Sequence, residues 1–142
     1  MATLTRQQAN ALLLDGVRLD LNEAAIIHTL LEKQFEAAVR HRSAELTALA
    51  DGLAPMLESM EGRRQQRLQL VRALLGQQAT MEQYMASLVP AARTTFAAAW
   101  SELEGIVRAC QEATLRNGQL LAEQYSTMQR VLHGEDGLYA PR

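Results

Sequence analysis

His28 and Glu32 lie four residues apart, a spacing that puts an imidazole and a carboxylate on one helix face, where they could share a metal ion or a proton. A metal site needs a second pair of ligands, and His41, His133 and Cys110 are too scattered to supply one. Cys110 falls on an apolar stripe and reads as a small hydrophobe rather than a nucleophile. Lys33, the only lysine, sits among Glu32, Gln34 and Glu36 as an ordinary solvated helix residue, not a Schiff-base former. There is no glycine-rich phosphate loop and no nucleophile elbow. No metal, no cofactor and no enzymatic activity are expected.

Polar residues of another kind stand out. Thr114, Asn117 and Gln124 occupy positions on the last apolar stripe where a self-sufficient core would carry Leu or Ile. On one reading, a buried amide fixes the register of two helices at some cost in stability. On the other, these side chains belong to a mixed groove wall that faces an exchangeable partner helix and tolerates water. Gly118 bears on the same choice. A mid-helix glycine costs about 1 kcal/mol relative to alanine, and its missing side chain permits close backbone approach. Alternatively, Asn117-Gly118 is a turn that splits the helix.

The elements that would position these residues follow from composition and period. The chain has 142 residues, 23 of them Ala and 23 Leu, whereas Val, Ile and Thr together number 18. Such a chain favours helix and lacks what a sheet would pack. An all-α fold is expected. Thr5 with Gln8, and Thr80 with Gln83, have the spacing of capping boxes. Asp20 with Glu23 has the same spacing, and Asp15-Gly16 before it reads as a helix stop. Apolar residues three or four apart then predict helices over about 4–15, 21–41, 43–75, 80–88 and 91–132, in a single domain with a flexible tail over 133–142. Pro55 predicts a kink or short break in the third helix, and Pro90 suits the first turn of the last one.

Charge excludes further classes. Formal net charge is −2, and the cations are 13 Arg and one Lys spread along the chain, so nucleic acid is not an expected partner. The densest group, Arg63, Arg64 and Arg67, reads as a solvated helix face. No apolar run approaches the roughly 20 residues that span a bilayer, so stable membrane insertion is not expected. The opening MATLTRQQAN has neither part of a secretory leader, and one cysteine makes no internal disulfide. A cytoplasmic location is expected.

Length adds a constraint. A helix over 91–132 would measure roughly 63 Å, whereas a compact globule of this size is about 37 Å across. The expected architecture is an elongated antiparallel helical bundle or coiled coil with a long C-terminal helix. Part of its last stripe is then covered by the third helix, by a second copy in a homodimer, or by a partner. A structural adaptor that self-associates through this stripe is one functional class consistent with that pattern.

The stretch Asn117-Gly118-Gln119-Leu120-Leu121-Ala122-Glu123-Gln124, with Val131-Leu132 and then Leu138-Tyr139 after a Gly/acid spacer, resembles the FlgN-type flagellar export chaperones. The resemblance implies a cytoplasmic chaperone that binds C-terminal amphipathic helices of the hook-associated (hook–filament junction) proteins. It would prevent their premature assembly and deliver them to the cytoplasmic domain of the export gate. It further implies a client-binding patch of Asn117, Gly118, Leu120, Leu121, Gln124, Met128, Val131 and Leu132. Asn117 and Gln124 would orient the client by hydrogen bonds, the aliphatic residues would bury its apolar face, and Leu138 and Tyr139 would dock on the gate.

Overall fold

The computed structural model describes residues 4–139, with side chains over 4–133. It contains α1 (Arg6–Val39), α2 (Ser43–Leu75), α3 (Met81–Ala86) and α4 (Pro90–Tyr139), and no strand among the described residues. The all-α bundle expected from composition is the fold.

α1 opens at the Thr5/Gln8 capping box, as the spacing predicts. It then differs from expectation. A single 34-residue helix replaces the two predicted over 4–15 and 21–41, and Asp15-Gly16 lies inside it. Leu13, Val17, Asp20, Ala24, Ile27 and Leu31 form one buried stripe across the predicted stop. Burial on both sides outweighs the glycine penalty of about 1 kcal/mol. Nor does Asp20 cap a helix; its carboxylate faces α2.

α1 ends in a tight reversal. The amides of His41 and Arg42 donate to the carbonyls of Ala38 and Ala37, a Schellman pattern with His41 at φ 56°. That left-handed position favours glycine, because a Cβ there crowds the neighbouring carbonyl. His41→Gly is expected to stabilise the fold by roughly 0.5–1 kcal/mol, read as a higher urea midpoint at unchanged slope. A lower midpoint would show that the His41 side chain holds the turn.

α2 passes Gly52 and Pro55 as one helix, so the short break is not there. Pro55 is exposed, while Leu53, Met56 and Met60 keep the helix seated on either side of it. α3 begins at the predicted Thr80/Gln83 box and buries Tyr84, whose hydroxyl donates to Asn10 Oδ1 at 2.7 Å. α4 starts at Pro90 and continues through Asn117-Gly118, which is no turn, as far as Tyr139. The expected end at 132 is therefore passed, and 133–139 continue the helix. Gly134 and Gly137 lower helix propensity but do not forbid it, and no proline intervenes before Pro141. Residues 140–142 of the predicted tail lie outside the described part.

α1 is the spine. α2 and α4 both pack on it, and their own backbones stay apart. Successive long helices alternate in direction, so α4 runs parallel to α1. The aromatic core lies where α3 crosses: Tyr84 meets Phe96 edge-on at 5.2 Å, and Phe96 stacks with Trp100 at 6.3 Å.

Candidate functional site

Three side chains fix how α4 lies on α1. Cys110 Sγ donates to the Ala24 carbonyl at 3.5 Å, Asn117 Nδ2 to Leu31 O at 2.8 Å, and Gln124 Nε2 to Ala38 O at 2.8 Å. Each pair is separated by 86 residues, and the donors recur every seven. A seven-residue repeat is the period of a coiled-coil seam. Asn117 is 2 % exposed and fully used, since Nδ2 also reaches Gln34 Oε1 and Oδ1 accepts from Arg116. Arg116 in turn lies 4.1 Å over the Phe35 ring and pairs with Glu32 at 3.1 Å. Gln124 donates to the Ala38 carbonyl in the last turn of α1, which also accepts from the His41 amide of the reversal. Burial pushes the Cys110 thiol above its ordinary pKa, which leaves little thiolate for chemistry.

α2 is fixed on α1 by charge. Asp20 is 1 % exposed and accepts from Arg63 Nε and, at 2.8 Å, from Arg67 Nη1. Arg63 also reaches Glu23, and the Arg67 guanidinium lies 5.3 Å over the Trp100 ring of α4. Burial works against the Arg63 charge, but the hydrogen bonds to Asp20 and Glu23 outweigh it and raise its pKa. The expected solvated arginine face is therefore wrong for Arg63 and Arg67; Arg64 alone pairs on the surface, with Glu61. A sequence signal existed. Leu53, Met56, Met60, Arg63, Arg67, Leu70 and Leu74 share one three–four spacing, so two arginines stand in apolar phase.

Between α2 and α4 lies an open cavity of about 710 Å³, with α1 as its floor. Ile27 and Leu31 form the base, Leu57 and Met60 one wall, Val107 and Leu115 the other. Sequence reasoning missed this groove, because it depends on the separation of α2 from α4. Thr114 lines it, exposed, instead of facing α1.

Beyond the groove α4 outruns its support. The constant offset puts Val39, the last residue of α1, level with residue 125 of α4. Residues 126–139 therefore extend past the end of α1 by roughly 21 Å. Leu121, Met128, Val131 and Leu132 are exposed, at 37, 59, 65 and 56 %, as is Tyr125, which the predicted patch omits. Leu120 is half-buried, and a Cβ on Gly118 would meet nothing within 4 Å, so no close approach within the chain requires it. The predicted patch thus divides: Asn117 and Gln124 face α1, while the aliphatic residues face outward. Leu138 and Tyr139 fall in the last turn of α4, and their side chains lie outside the described part.

The profile of the FlgN protein family matches residues 13–133, from the first buried leucine of α1 into the projecting end of α4. The chain belongs to the FlgN family. No curated protein and no solved structure matches it significantly. FlgN proteins are flagellar export chaperones, which gives this chain its general role and a protein as its partner. The family is one of chaperones rather than enzymes. His28 and Glu32 do meet, at 3.8 Å on an exposed face, but no group of His, Cys, Asp or Glu among the described residues could hold a metal ion. No helix among them is long and apolar enough to cross a membrane.

Proposed function

We propose that this FlgN chaperone works in the cytoplasm and binds C-terminal amphipathic helices of hook-associated proteins. It keeps them from assembling early and brings them to the cytoplasmic domain of the export gate. The observation that carries this reading is the unaccompanied end of α4. An apolar stripe on a helix that extends past the end of α1 suits helix-on-helix capture. Leu121, Met128, Val131 and Leu132 would bury the client's apolar face, with Leu120 beside them and Gly118 admitting its backbone. Met128 is adaptable enough to serve two related clients. Asn117 and Gln124 serve the client indirectly, by holding α4 in place.

Calorimetry of the full chain against C-terminal peptides of hook-associated proteins tests the reading. One peptide per chain is expected, with the negative heat-capacity change of apolar burial. No heat with any such peptide would remove it. A self-associating structural adaptor would bind none of them.

Gate docking is assigned to Leu138 and Tyr139, where a ring offers burial and a hydroxyl offers one hydrogen bond. Tyr139→Ala is expected to leave peptide affinity unchanged and to weaken capture of the purified cytoplasmic gate domain at least tenfold. Unchanged capture would place gate docking elsewhere.

A further inference from the structure

The face of α4 that borders the groove continues without interruption onto its projecting end. Val107, Gln111, Thr114, Gly118, Leu121, Tyr125, Met128 and Leu132 follow one another at steps of four and three, a single seam adjacent to the one that meets α1. Its two halves differ in bulk. On the groove side stand Gln111, Thr114 and Gly118; on the projecting side stand Leu121, Tyr125 and Met128.

We propose that two copies of the chain pair antiparallel along this seam, each projecting α4 end filling the other's groove. The symmetry axis would pass between Gln119 and Leu120. In that register Leu121 lies over Gly118 of the second copy, Tyr125 over Thr114, Met128 over Gln111 and Leu132 over Val107. Each of these four contacts sets a larger side chain against a smaller one, the arrangement that packs a seam without voids. A parallel pairing would oppose Gly118 to Gly118 and Tyr125 to Tyr125, leaving a gap beside a collision.

Lengths agree with the same register. The groove borders α4 from Trp100 to Leu115, and residues 126–139 that project past α1 would lie alongside that span. Those residues lie beyond the end of their own α1. Charge along the seam is mixed: Arg130, the only full charge between Gln124 and His133, arrives beside Glu104, Arg108 and Glu112, whereas Glu135 comes level with Glu104. Gly118 acquires a reason in this arrangement: within its own chain a Cβ there touches nothing, whereas in the pair it would meet Leu121 of the second copy.

The pairing stands independently of the client reading. If both hold, the free chaperone covers its own client stripe, and apparent peptide affinity falls as chaperone concentration rises.

Sedimentation equilibrium of the full chain tests the pairing, with Gly118→Leu as the first variant. The wild-type chain is expected to sediment as a dimer at high micromolar concentration. Gly118→Leu should keep its helical circular dichroism and weaken the dimer at least tenfold. The exchanged variant Gly118→Leu/Leu121→Ala restores a large residue opposite a small one and should recover most of the association. A Thr114→Cys/Tyr125→Cys chain carrying Cys110→Ala should oxidise to a covalent dimer, whereas Tyr125→Cys/Cys110→Ala alone should not. A monomeric wild type overturns the proposal. So does a dimer that Gly118→Leu leaves intact, or one that cross-links when Tyr125→Cys supplies the only thiol.

Discussion

Asp20→Ala is expected to cost the fold about 3–5 kcal/mol, a large share of the roughly 5–15 kcal/mol that holds an ordinary domain together. The carboxylate is 1 % exposed and answers two guanidiniums of α2 at once. Truncation leaves Arg67 with only the Trp100 ring and Arg63 with only Glu23, on side chains that are 11 % and 20 % exposed. The penalty is that of an uncompensated buried charge, larger than the net worth of the pair. Urea unfolding followed by circular dichroism measures it. Replacing Asp20, Arg63 and Arg67 together by Leu, Met and Met should recover most of the loss, because an apolar contact needs no partner. A loss below about 1 kcal/mol for Asp20→Ala would mean that solvent reaches the cluster and that α2 is held by its apolar stripe alone.

That cluster also marks where sequence reasoning stopped. Helix content, the boxes at Thr5 and Thr80 and the start at Pro90 were legible, because each is decided by residues within one turn of one another. Asp20 misled for the same reason. Asp-x-x-Glu has the local spacing of a helix start, and only the arrival of Arg63 and Arg67 from α2, more than forty residues away, shows that it faces a neighbour. Gly16 misled likewise, since a glycine that would end an isolated helix is carried through by Leu13 and Val17 packed on either side. The candidate site was half legible. Apolar periodicity placed Leu121, Met128, Val131 and Leu132 on one stripe, but could not tell that α1 stops level with residue 125 and leaves most of that stripe uncovered. Polar residues in the seam admitted two readings, and the structure uses both. Asn117 and Gln124 fix the register of α4 on α1, while Thr114 turns onto the groove wall.

Met128→Arg/Leu132→Arg is expected to abolish capture of hook-associated peptides, weakening it at least a hundredfold, while unfolding shifts by no more than about 0.5 kcal/mol. Both side chains are more than half exposed on the free chain, so the fold gains little from them. Each would be buried by a client, where a Met or Leu side chain contributes about 1.5–3 kcal/mol and a charge in its place adds a desolvation penalty. Leu121→Arg is a weaker discriminator, because its 37 % exposure makes part of its contribution a matter of stability. Asn117→Ala should behave in the opposite sense. It would cost the fold about 1–3 kcal/mol through the lost contacts to Leu31 and Gln34, and touch affinity only as far as α4 shifts on α1. Paired calorimetry and urea unfolding on these variants separate the outcomes. If the double arginine chain unfolds early, the stripe is core and the projecting end is not a binding surface. If it folds normally and still binds peptide with unchanged affinity, the client lies along the groove floor at Ile27 and Leu31, and the projecting end serves another partner. Loss of binding with stability intact is the one pattern that requires the client to lie on the unaccompanied end of α4.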